Sequence, residues 1–289
     1  MAEYQTIRYE IIDAGERGVA RVTLDRPESR NAQNKRMTYE LNDAFTDASR
    51  RSDVKVIVLD ATGPHFCSGH DMRDTESMKH FDTVFTGGGF AREGQEGHMA
   101  WEEEVYFQMC WRWRNLPKPV IAAAQGKTIA GGLMLLWVAD IIVAADDALF
   151  SDPVVGMGAN GVEYFAHPWE LGARKAKELL FTGDWVTAQD AKTLGMVNQI
   201  VPAAELHDYA LAMAAKIAKR PSFALKLAKE SVNQALEAQG QWTALRSAFT
   251  LQHLAHAHNR VRFGIPVDPG PGVVPANSEN RTARPVAAD

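Results

Sequence analysis

The chain has 289 residues, of which 46% are hydrophobic and 23% charged, the balance of a globular protein with a sizeable core. Its net charge of −5 argues against nucleic acid as the main partner. With only Cys67 and Cys110, no disulfide scaffold is implied, and a reducing, cytoplasmic location is expected. No signal-peptide pattern and no apolar run of about 18 residues occurs, so neither secretion nor a membrane span is predicted.

The N-terminal part predicts a β-hairpin, a helix and a buried strand. Residues 6–12 and 19–24 are rich in β-branched residues and flank the polar turn "DAGERG". The segment "VKVIVLDAT" (54–62) is a nearly continuous apolar run, which predicts a strand buried on both faces. Between them, apolar residues recur at helical spacing and place these side chains on one face: Met37, Leu41, Phe45 and Ala48.

The middle of the chain alternates between predicted helices and strands. Residues 75–100 are polar, contain "TGGGF", and predict a mobile loop or lid. The helix "EEEVYFQMCWRWRNL" follows, and then the strand 119–126, the apolar helix 131–139 and the strand 140–145. This alternation is typical of an α/β fold.

The C-terminal part changes from mixed to purely helical patterns. After a predicted helix over 171–183, Thr187 and Asp190 resemble a capping box that opens another helix, and residues 196–201 form the last predicted strand. The predicted organisation is a core of residues 1–201, a helical region of residues 202–263, and a disordered tail of residues 264–289 that is rich in Pro, Gly and Asn.

Three short motifs suggest chemistry but lack the context that each chemistry needs. "GMGANG" (156–161) fits the dinucleotide pattern, yet no helix opens at its last glycine, which favours an ordinary glycine-rich turn. The spacing of His65, Cys67 and His70 matches no strong zinc pattern. Ser68 lacks an oriented base and acid for nucleophilic catalysis. We therefore predict neither a metal nor a permanently bound cofactor.

Two glycine-containing turns carry a stronger signal. The first, "CSGHD", follows the strand at 54–60, and the second, "GKTIAGG", follows the strand at 119–124 and opens an apolar helix at Gly131. Glycine permits close approach of the backbone to a ligand, and a helix N-terminus presents unpaired N–H groups. Two such turns from neighbouring strands would aim two N–H donors at one oxygen, where each donor is worth about 3–4 kcal/mol to a transition state.

At these turns the chain resembles the crotonase superfamily, the enoyl-CoA hydratase/isomerase family. The resemblance is collinear over residues 5–263, and four segments carry it: "LDRPESRNAQNKRM", "FCSGHDMRD", "QGKTIAGGLMLLWVADIIVAA" and "FTGDWVTAQDAKTLGMVNQIV". It implies an α/β fold with a crotonase-like spiral of ββα turns and a helical C-terminal trimerisation region. It also implies an acyl-coenzyme A substrate and a homotrimer, or a hexamer made of two trimers.

The resemblance also implies roles for individual residues. The backbone N–H groups of His70 and Gly131 match the donors of the family's oxyanion hole, which stabilises a thioester enolate. Lys35 adds a further positive charge that could meet the phosphates of coenzyme A. The residues matching the family's coenzyme A contacts are Arg30, Ala32, Gly69, His70, Asp71, Met72 and Arg73.

The chain departs from the hydratases of this family at both acid/base positions. Where they carry glutamates, this sequence has Met134 and Val154, and neither side chain can activate water or protonate a carbon. We therefore expect isomerase, decarboxylase or hydrolase chemistry rather than hydration. The candidate for the catalytic carboxylate is Glu163, and the His70 side chain is a second candidate for chemistry; Asp152 and His167 are weaker ones.

Two other functions remain open from the sequence. A catalytically silent acyl-CoA binding protein would keep the fold without the glutamates. A serine hydrolase would use Ser68, although no base is evident beside it in the sequence.

Overall fold

The computed structural model describes residues 4–12, 18–85 and 87–270. The described strands are β1 (Ile7–Ile12), β2 (Gly18–Leu24), β3 (Val54–Ala61), β4 (Val120–Ala124), β5 (Lys127–Ile129), β6 (Ile141–Ala145), β7 (Leu149–Ser151), β8 (Val186–Thr187) and β9 (Gln199–Val201). The described α-helices are α1 (Lys35–Arg50), α2 (Gly94–Glu102), α3 (Met109–Arg114), α4 (Gly131–Trp137), α5 (His167–Leu171), α6 (Ala173–Thr182), α7 (Ala188–Leu194), α8 (Leu206–Ala218), α9 (Ser222–Ala238) and α10 (Gln241–Phe263). A π-helical segment, Glu103–Gln108, joins α2 to α3.

The strands form two sheets in an α/β arrangement. The larger sheet has the order β1-β2-β3-β4-β6-β9, with β1 and β2 antiparallel and the remaining pairs parallel. The smaller sheet has the order β5-β7-β8. The predicted hairpin of β1 and β2 is therefore confirmed, while most of its connecting turn, residues 13–17, lies outside the described residues.

The large sheet is buried on both faces, which explains the continuous apolar run of β3. Val56 and Val58 pack with residues of α8 such as Ala210 on one face. Ile57 and Leu59 pack with α1, α3 and α4 on the other. Because successive side chains of a strand point to opposite faces, a strand covered on both sides has no polar alternation.

The helix predicted at 35–50 is confirmed as α1. Its side chains Met37, Leu41, Phe45 and Ala48 are all buried, as the helical spacing indicates. Asn34 caps the helix, since its side-chain oxygen accepts a hydrogen bond from the backbone N–H of Met37 at 2.9 Å.

The prediction of a loop up to residue 100 is wrong at its C-terminal end. Helix α2 begins at Gly94, well before the "EEE" run, although Gly94 and Gly97 both disfavour a helix. Met99 and Trp101 of this helix pack against the hydrophobic core. Tertiary packing therefore overrides the weak local helix propensity of the segment.

Helices α8, α9 and α10 confirm the helical pattern predicted for residues 202–263. None of the residues of α9 is buried. Residues 264–270 of the predicted tail are described, and the backbone N–H of Asp268 donates a 2.7 Å hydrogen bond to the carbonyl of Met157. Residues 271–289 lie outside the described residues. Among the helices of the described part, none is both long and apolar enough to cross a membrane.

Candidate active site

The turn after β3 is held against the loop that precedes α1. Gly69 has a φ of +95°, a conformation that favours glycine. The backbone N–H of Gln33 donates to the carbonyl of Gly69 at 2.8 Å, and that of Asp71 donates to the carbonyl of Gln33 at 2.9 Å. The N–H of Ser68 donates to the carbonyl of Arg30 at 3.0 Å. These bonds fix the backbone on both sides of His70.

The second turn presents the N-terminus of α4 to the same place. Ala130 has a φ of +46°, an uncommon conformation for a residue with a side chain, and its N–H donates to the carbonyl of Ser151 at 2.9 Å. Gly131 begins α4, and a Cβ atom on Gly69 would lie 3.5 Å from its nitrogen. Among the described residues, neither the N–H of His70 nor the N–H of Gly131 donates a hydrogen bond. The two turns therefore lie side by side, and each predicted donor N–H has no hydrogen-bond partner in the described part of the chain.

Glu163 reaches this site from the loop between β7 and α5. Its Oε2 atom lies 3.5 Å from Nε2 of His70, and its Oε1 atom accepts a 2.9 Å hydrogen bond from the side-chain amide of Gln252 on α10. Neither Oε2 of Glu163 nor Nε2 of His70 has a hydrogen-bond partner among the described residues. Burial raises the pKa of Glu163 to about 7, although the nearby His70 opposes part of this effect.

The imidazole of His70 is held between two neighbours. It stacks on the ring of Tyr106, with the ring centroids 3.9 Å apart and the planes 4° from parallel. On its other side it lies against Gly131, where an added Cβ atom would stand only 2.4 Å from Nε2 of His70. A glycine at position 131 therefore leaves room for the imidazole beside the oxyanion donors.

Asp152 and His167 form a buried pair next to the loop that carries Glu163. Nε2 of His167 lies 2.8 Å from Oδ2 of Asp152, which also accepts from the N–H of Val162 at 3.2 Å. Oδ1 of Asp152 accepts from the N–H of Val154 at 3.1 Å. The carboxylate thus binds both ends of the segment 154–162, which is a positioning arrangement rather than contact with a reacting atom.

The two positions that lack the expected glutamates lie close to this loop. Met134 is fully buried in α4, and its sulfur accepts a 3.3 Å hydrogen bond from the N–H of Tyr164. Val154 begins a short 3-10 turn after Pro153. Within the described residues, Glu163 is the carboxylate that lies within 4 Å of the His70 imidazole.

The predicted coenzyme A contacts lie along the surface of the first turn. Arg30 and Met72 are exposed, and the side chain of Arg73 is 84% exposed, so its guanidinium can meet a phosphate. Asp71 is instead held by Arg26 at 3.0 Å, and Ala32 is buried with its carbonyl bonded to Arg26. Lys35 is bonded to Asp74 at 3.1 Å and is largely buried, whereas Arg30 is exposed and Arg73 is exposed with its Nε 3.7 Å from Asp71.

The other side chains of the first turn do not assemble into a site. Cys67 is buried, and burial raises the pKa of its thiol to about 12. Ser68 donates a 3.4 Å hydrogen bond to the carbonyl of Ser29. Nδ1 of His65 accepts from the N–H of Lys127 at 3.2 Å. In these contacts Ser68 has no base as a partner, and His65, Cys67 and His70 do not form a metal-ligand set.

Three residues of the site carry no signal in the sequence. Tyr106 stacks on His70, Gln252 binds Glu163 across 89 positions of the chain, and Arg26 binds Asp71. The helix predicted around Tyr106 gives no indication of which aromatic ring faces the first turn. The contact between Gln252 and Glu163 depends on how α10 crosses the core.

Comparison with known proteins identifies the family. Residues 14–266 match the family model described as enoyl-CoA hydratase/isomerase. The chain therefore belongs to the enoyl-CoA hydratase/isomerase family, within the crotonase superfamily, and its spiral of strands and helices is the crotonase fold.

Relatives from mycobacteria cover most of the chain. A putative enoyl-CoA hydratase of Mycobacterium tuberculosis is 44% identical over 89% of this chain and 82% of its own length. A crystal structure of a probable enoyl-CoA hydratase from Mycobacterium thermoresistibile is 45% identical, with a TM-score of 0.82 over 91% of this chain and 99% of its own. An enoyl-CoA hydratase/isomerase structure from Xanthobacter autotrophicus is 30% identical, with a TM-score of 0.76, and covers 91% of this chain and 95% of its own.

Proposed function

We propose that this protein is an acyl-CoA enzyme in which Glu163 moves a proton while the N–H groups of His70 and Gly131 stabilise a thioester enolate. The observation that carries the proposal is the position of the Glu163 carboxylate, 3.5 Å from the imidazole of His70 and beside the two free donors. A carboxylate with a pKa near 7 is suited to accept and return a proton at neutral pH.

The chemistry is a proton transfer at the α-carbon of the thioester. The Glu163 carboxylate takes the proton, the C–H electron pair forms the enolate double bond, and the thioester carbonyl oxygen takes the negative charge. The N–H groups of His70 and Gly131 then bind that oxygen, which makes the enolate accessible. Returning the proton to the γ-carbon of a 3-enoyl-CoA gives the conjugated 2-enoyl-CoA.

Isomerisation of this kind fits a site with one carboxylate better than hydration does. Hydration needs one group to activate water and another to protonate carbon, and Met134 and Val154 supply neither. The solved and curated relatives are named as enoyl-CoA hydratases, which supports an enoyl-CoA substrate. We propose decarboxylation or hydrolysis only as secondary activities of the same enolate site.

The reaction can be tested without knowing the natural acyl group. Incubating the enzyme with a saturated acyl-CoA in D₂O should place deuterium at the α-carbon, detected by mass spectrometry. Glu163→Gln should lower the exchange rate by about 10²–10⁴-fold, the usual contribution of a general base. Glu170→Gln is the matched control, because burial also raises the pKa of Glu170 to about 7.

Substrate conversion then separates the possible functions. A 3-enoyl-CoA should gain the absorbance of a conjugated thioester, while crotonyl-CoA should keep it. Binding of acyl-CoA by calorimetry without exchange or conversion would favour the silent binding protein instead. Rapid hydration of crotonyl-CoA would show that our interpretation of Met134 and Val154 is wrong.

We further propose that the chain assembles as a homotrimer, or as a hexamer of two trimers, through its C-terminal helices. Among the described residues of the single chain, α9 and α10 expose six large apolar side chains, and such a surface is typical of an interface. These side chains are Phe223, Leu227, Val232, Leu251, Leu254 and Val261. Light scattering on the eluted protein tests the proposal, and a monomer at micromolar concentration would contradict it.

A further inference from the structure

A cluster of three histidines and a glutamate lies where α2 crosses α10, separate from the oxyanion turns. His98 and Glu102 stand four positions apart on α2, and His253 and His256 stand three positions apart on α10. Residues at these spacings lie on one face of a helix. All four side chains are at least nine-tenths buried, with exposed fractions of 9%, 7%, 3% and 9% in that order.

In this His–Glu cluster, the ligand atoms of His98, Glu102 and His253 lie within 4.8 Å of one another, and His256 lies beside them. Nε2 of His98 lies 2.8 Å from one oxygen of Glu102, and Nε2 of His253 lies 3.4 Å from the other. Nε2 of His256 is 3.9 Å from that same second oxygen. Two ligands of a tetrahedral metal ion with bonds of about 2.1 Å lie about 3.4 Å apart. The spacing in the cluster is therefore close to that of a metal-ligand set.

The hydrogen-bonding state of His256 supplies an independent argument. Its Nδ1 atom lies 2.7 Å from the carbonyl oxygen of Pro266, which can only accept a hydrogen bond. Nδ1 therefore carries the proton of the neutral ring, and Nε2 presents its lone pair to the cluster. A histidine that ligates a metal commonly donates its other N–H to a backbone carbonyl in this way.

The atoms that face the centre lack partners. Nε2 of His253, Nε2 of His256 and Oε2 of Glu102 are buried and have no hydrogen-bond partner among the described residues. Leaving buried polar atoms without partners costs free energy, and coordination to an ion removes that cost. A divalent cation at the centre would satisfy all three atoms together.

We propose that His98, Glu102, His253 and His256 bind one divalent transition-metal ion, with Zn²⁺ as the matching ion. Three imidazole nitrogens and one carboxylate oxygen suit zinc, whereas calcium and magnesium require oxygen ligands. The site would hold α2 against α10. It does not contribute a reacting group to the proposed enolate chemistry, so it stands whether or not that chemistry is confirmed.

Gln95 has a defined place in this proposal. Its amide nitrogen Nε2 lies 2.7 Å from Nδ1 of His253, and its oxygen Oε1 accepts a hydrogen bond from Nε of Arg260 at 3.3 Å. Ligation through Nε2 of His253 places the proton on Nδ1, so on metal binding the amide must turn its oxygen toward that atom and give up the bond from Arg260. Gln95 then acts as the outer hydrogen-bond partner of a metal ligand, as the Pro266 carbonyl does for His256.

Metal content of the full-length chain tests the site. Protein produced without a histidine tag is stripped with EDTA, incubated with excess Zn²⁺ or Co²⁺, desalted, and measured by elemental mass spectrometry. The wild type should retain about one metal ion per chain, and its Co²⁺ form should show the intense visible absorption of a tetrahedral site. Glu102→Gln and His253→Ala should each retain less than about a fifth of that amount.

His258→Ala is the matched control, because His258 lies on the same helix but is exposed and outside the cluster. It should bind metal like the wild type. Circular dichroism verifies that each variant is folded, and Glu102→Gln preserves the shape of the side chain if His253→Ala does not fold. A wild type that retains no metal, or cluster variants that retain as much as the wild type, would overturn the proposal.

Discussion

Oε2 of Glu163 lies 3.5 Å from Nε2 of His70, and neither atom has a hydrogen-bond partner within the described residues. In the proposed reaction, this carboxylate is the proton acceptor and the N–H groups of His70 and Gly131 are the oxyanion donors. The carboxylate comes from a loop 93 positions beyond the histidine in the sequence. Because the carboxylate is buried, its protonation state should control the reaction in the neutral pH range.

The activity of the wild type should rise with pH through about 7. The pKa of Glu163 is raised from 4.5 to about 7 by burial, and a base acts only when deprotonated. We expect kcat/KM for α-proton exchange to increase about tenfold per pH unit below pH 7 and to level off above it. A profile that is flat between about pH 5.5 and 8.5 would contradict Glu163 as the base.

The contribution of Glu163 to the free energy of unfolding should fall as pH rises, whereas the activity should rise. Because its pKa is raised in the folded state, the folded protein binds this proton more tightly than the unfolded chain does. Its contribution is complete below the unfolded pKa of 4.5 and is lost as pH rises through about 7. Urea unfolding of wild type and Glu163→Gln should therefore show the wild type losing stability relative to the variant across this range.

Gly131→Ala and Gly132→Ala should separate activity from stability. The added Cβ at position 131 would lie 2.4 Å from the imidazole of His70, a side chain that can move, whereas at position 132 it would lie 2.5 Å from the backbone carbonyl of Cys67. We expect Gly131→Ala to abolish exchange with a small loss of stability. Gly132→Ala should cost about 1–3 kcal/mol of unfolding free energy, because backbone must shift. Thermal unfolding and the exchange assay measure the two effects; equal stability of both variants would contradict the structure here.

Asp152→Asn should loosen the loop that carries Glu163. The carboxylate accepts hydrogen bonds from the N–H groups of Val154 and Val162 and contacts His167, and an amide cannot accept all of these. We expect a loss of about 1.5–3 kcal/mol in stability and a lower kcat with little change in KM. The exposed Asp146, which accepts from the N–H of Ala203, provides the control Asp146→Asn. A variant of Asp152 that changes KM alone would place this residue in substrate binding instead.

Glu104→Gln should release the segment before α2. The buried carboxylate accepts from the N–H groups of Val84 and Phe85 at 2.6 and 2.7 Å and from the hydroxyl of Tyr39 at 2.9 Å. We expect a loss of about 1–3 kcal/mol in unfolding free energy and faster tryptic cleavage after Lys79 and Arg92, which flank this segment. The exposed Glu96 is the control, and equal cleavage of Glu104→Gln and Glu96→Gln would show that the carboxylate does not hold this segment.

The sequence best indicates strands that are covered on both faces and helices that begin at a capping residue. The continuous apolar run of β3 indicates a strand covered on both faces, and Asn34 and Thr187 both cap helices in the structure. The start of α2 at Gly94 cannot be predicted in this way, because its helix depends on packing against α10 and the core rather than on propensity. The glycines of the two turns mark the predicted oxyanion donors, since a Cβ atom at Gly69 or Gly131 would crowd the facing turn.

The sequence by itself determined the family and the α/β organisation, and it predicted the two oxyanion turns and the replacement of both hydratase glutamates, because these depend on local patterns and on residue identity. Only the tertiary structure decided which acidic and imidazole side chains meet. Glu163 faces His70 and Gln252, while Asp152 binds His167 and the backbone of the loop that carries Glu163. Likewise, the cluster of His98, Glu102, His253 and His256 exists only because α2 crosses α10. Such contacts join residues far apart in the chain, and their formation depends on how whole elements pack, which no local spacing records.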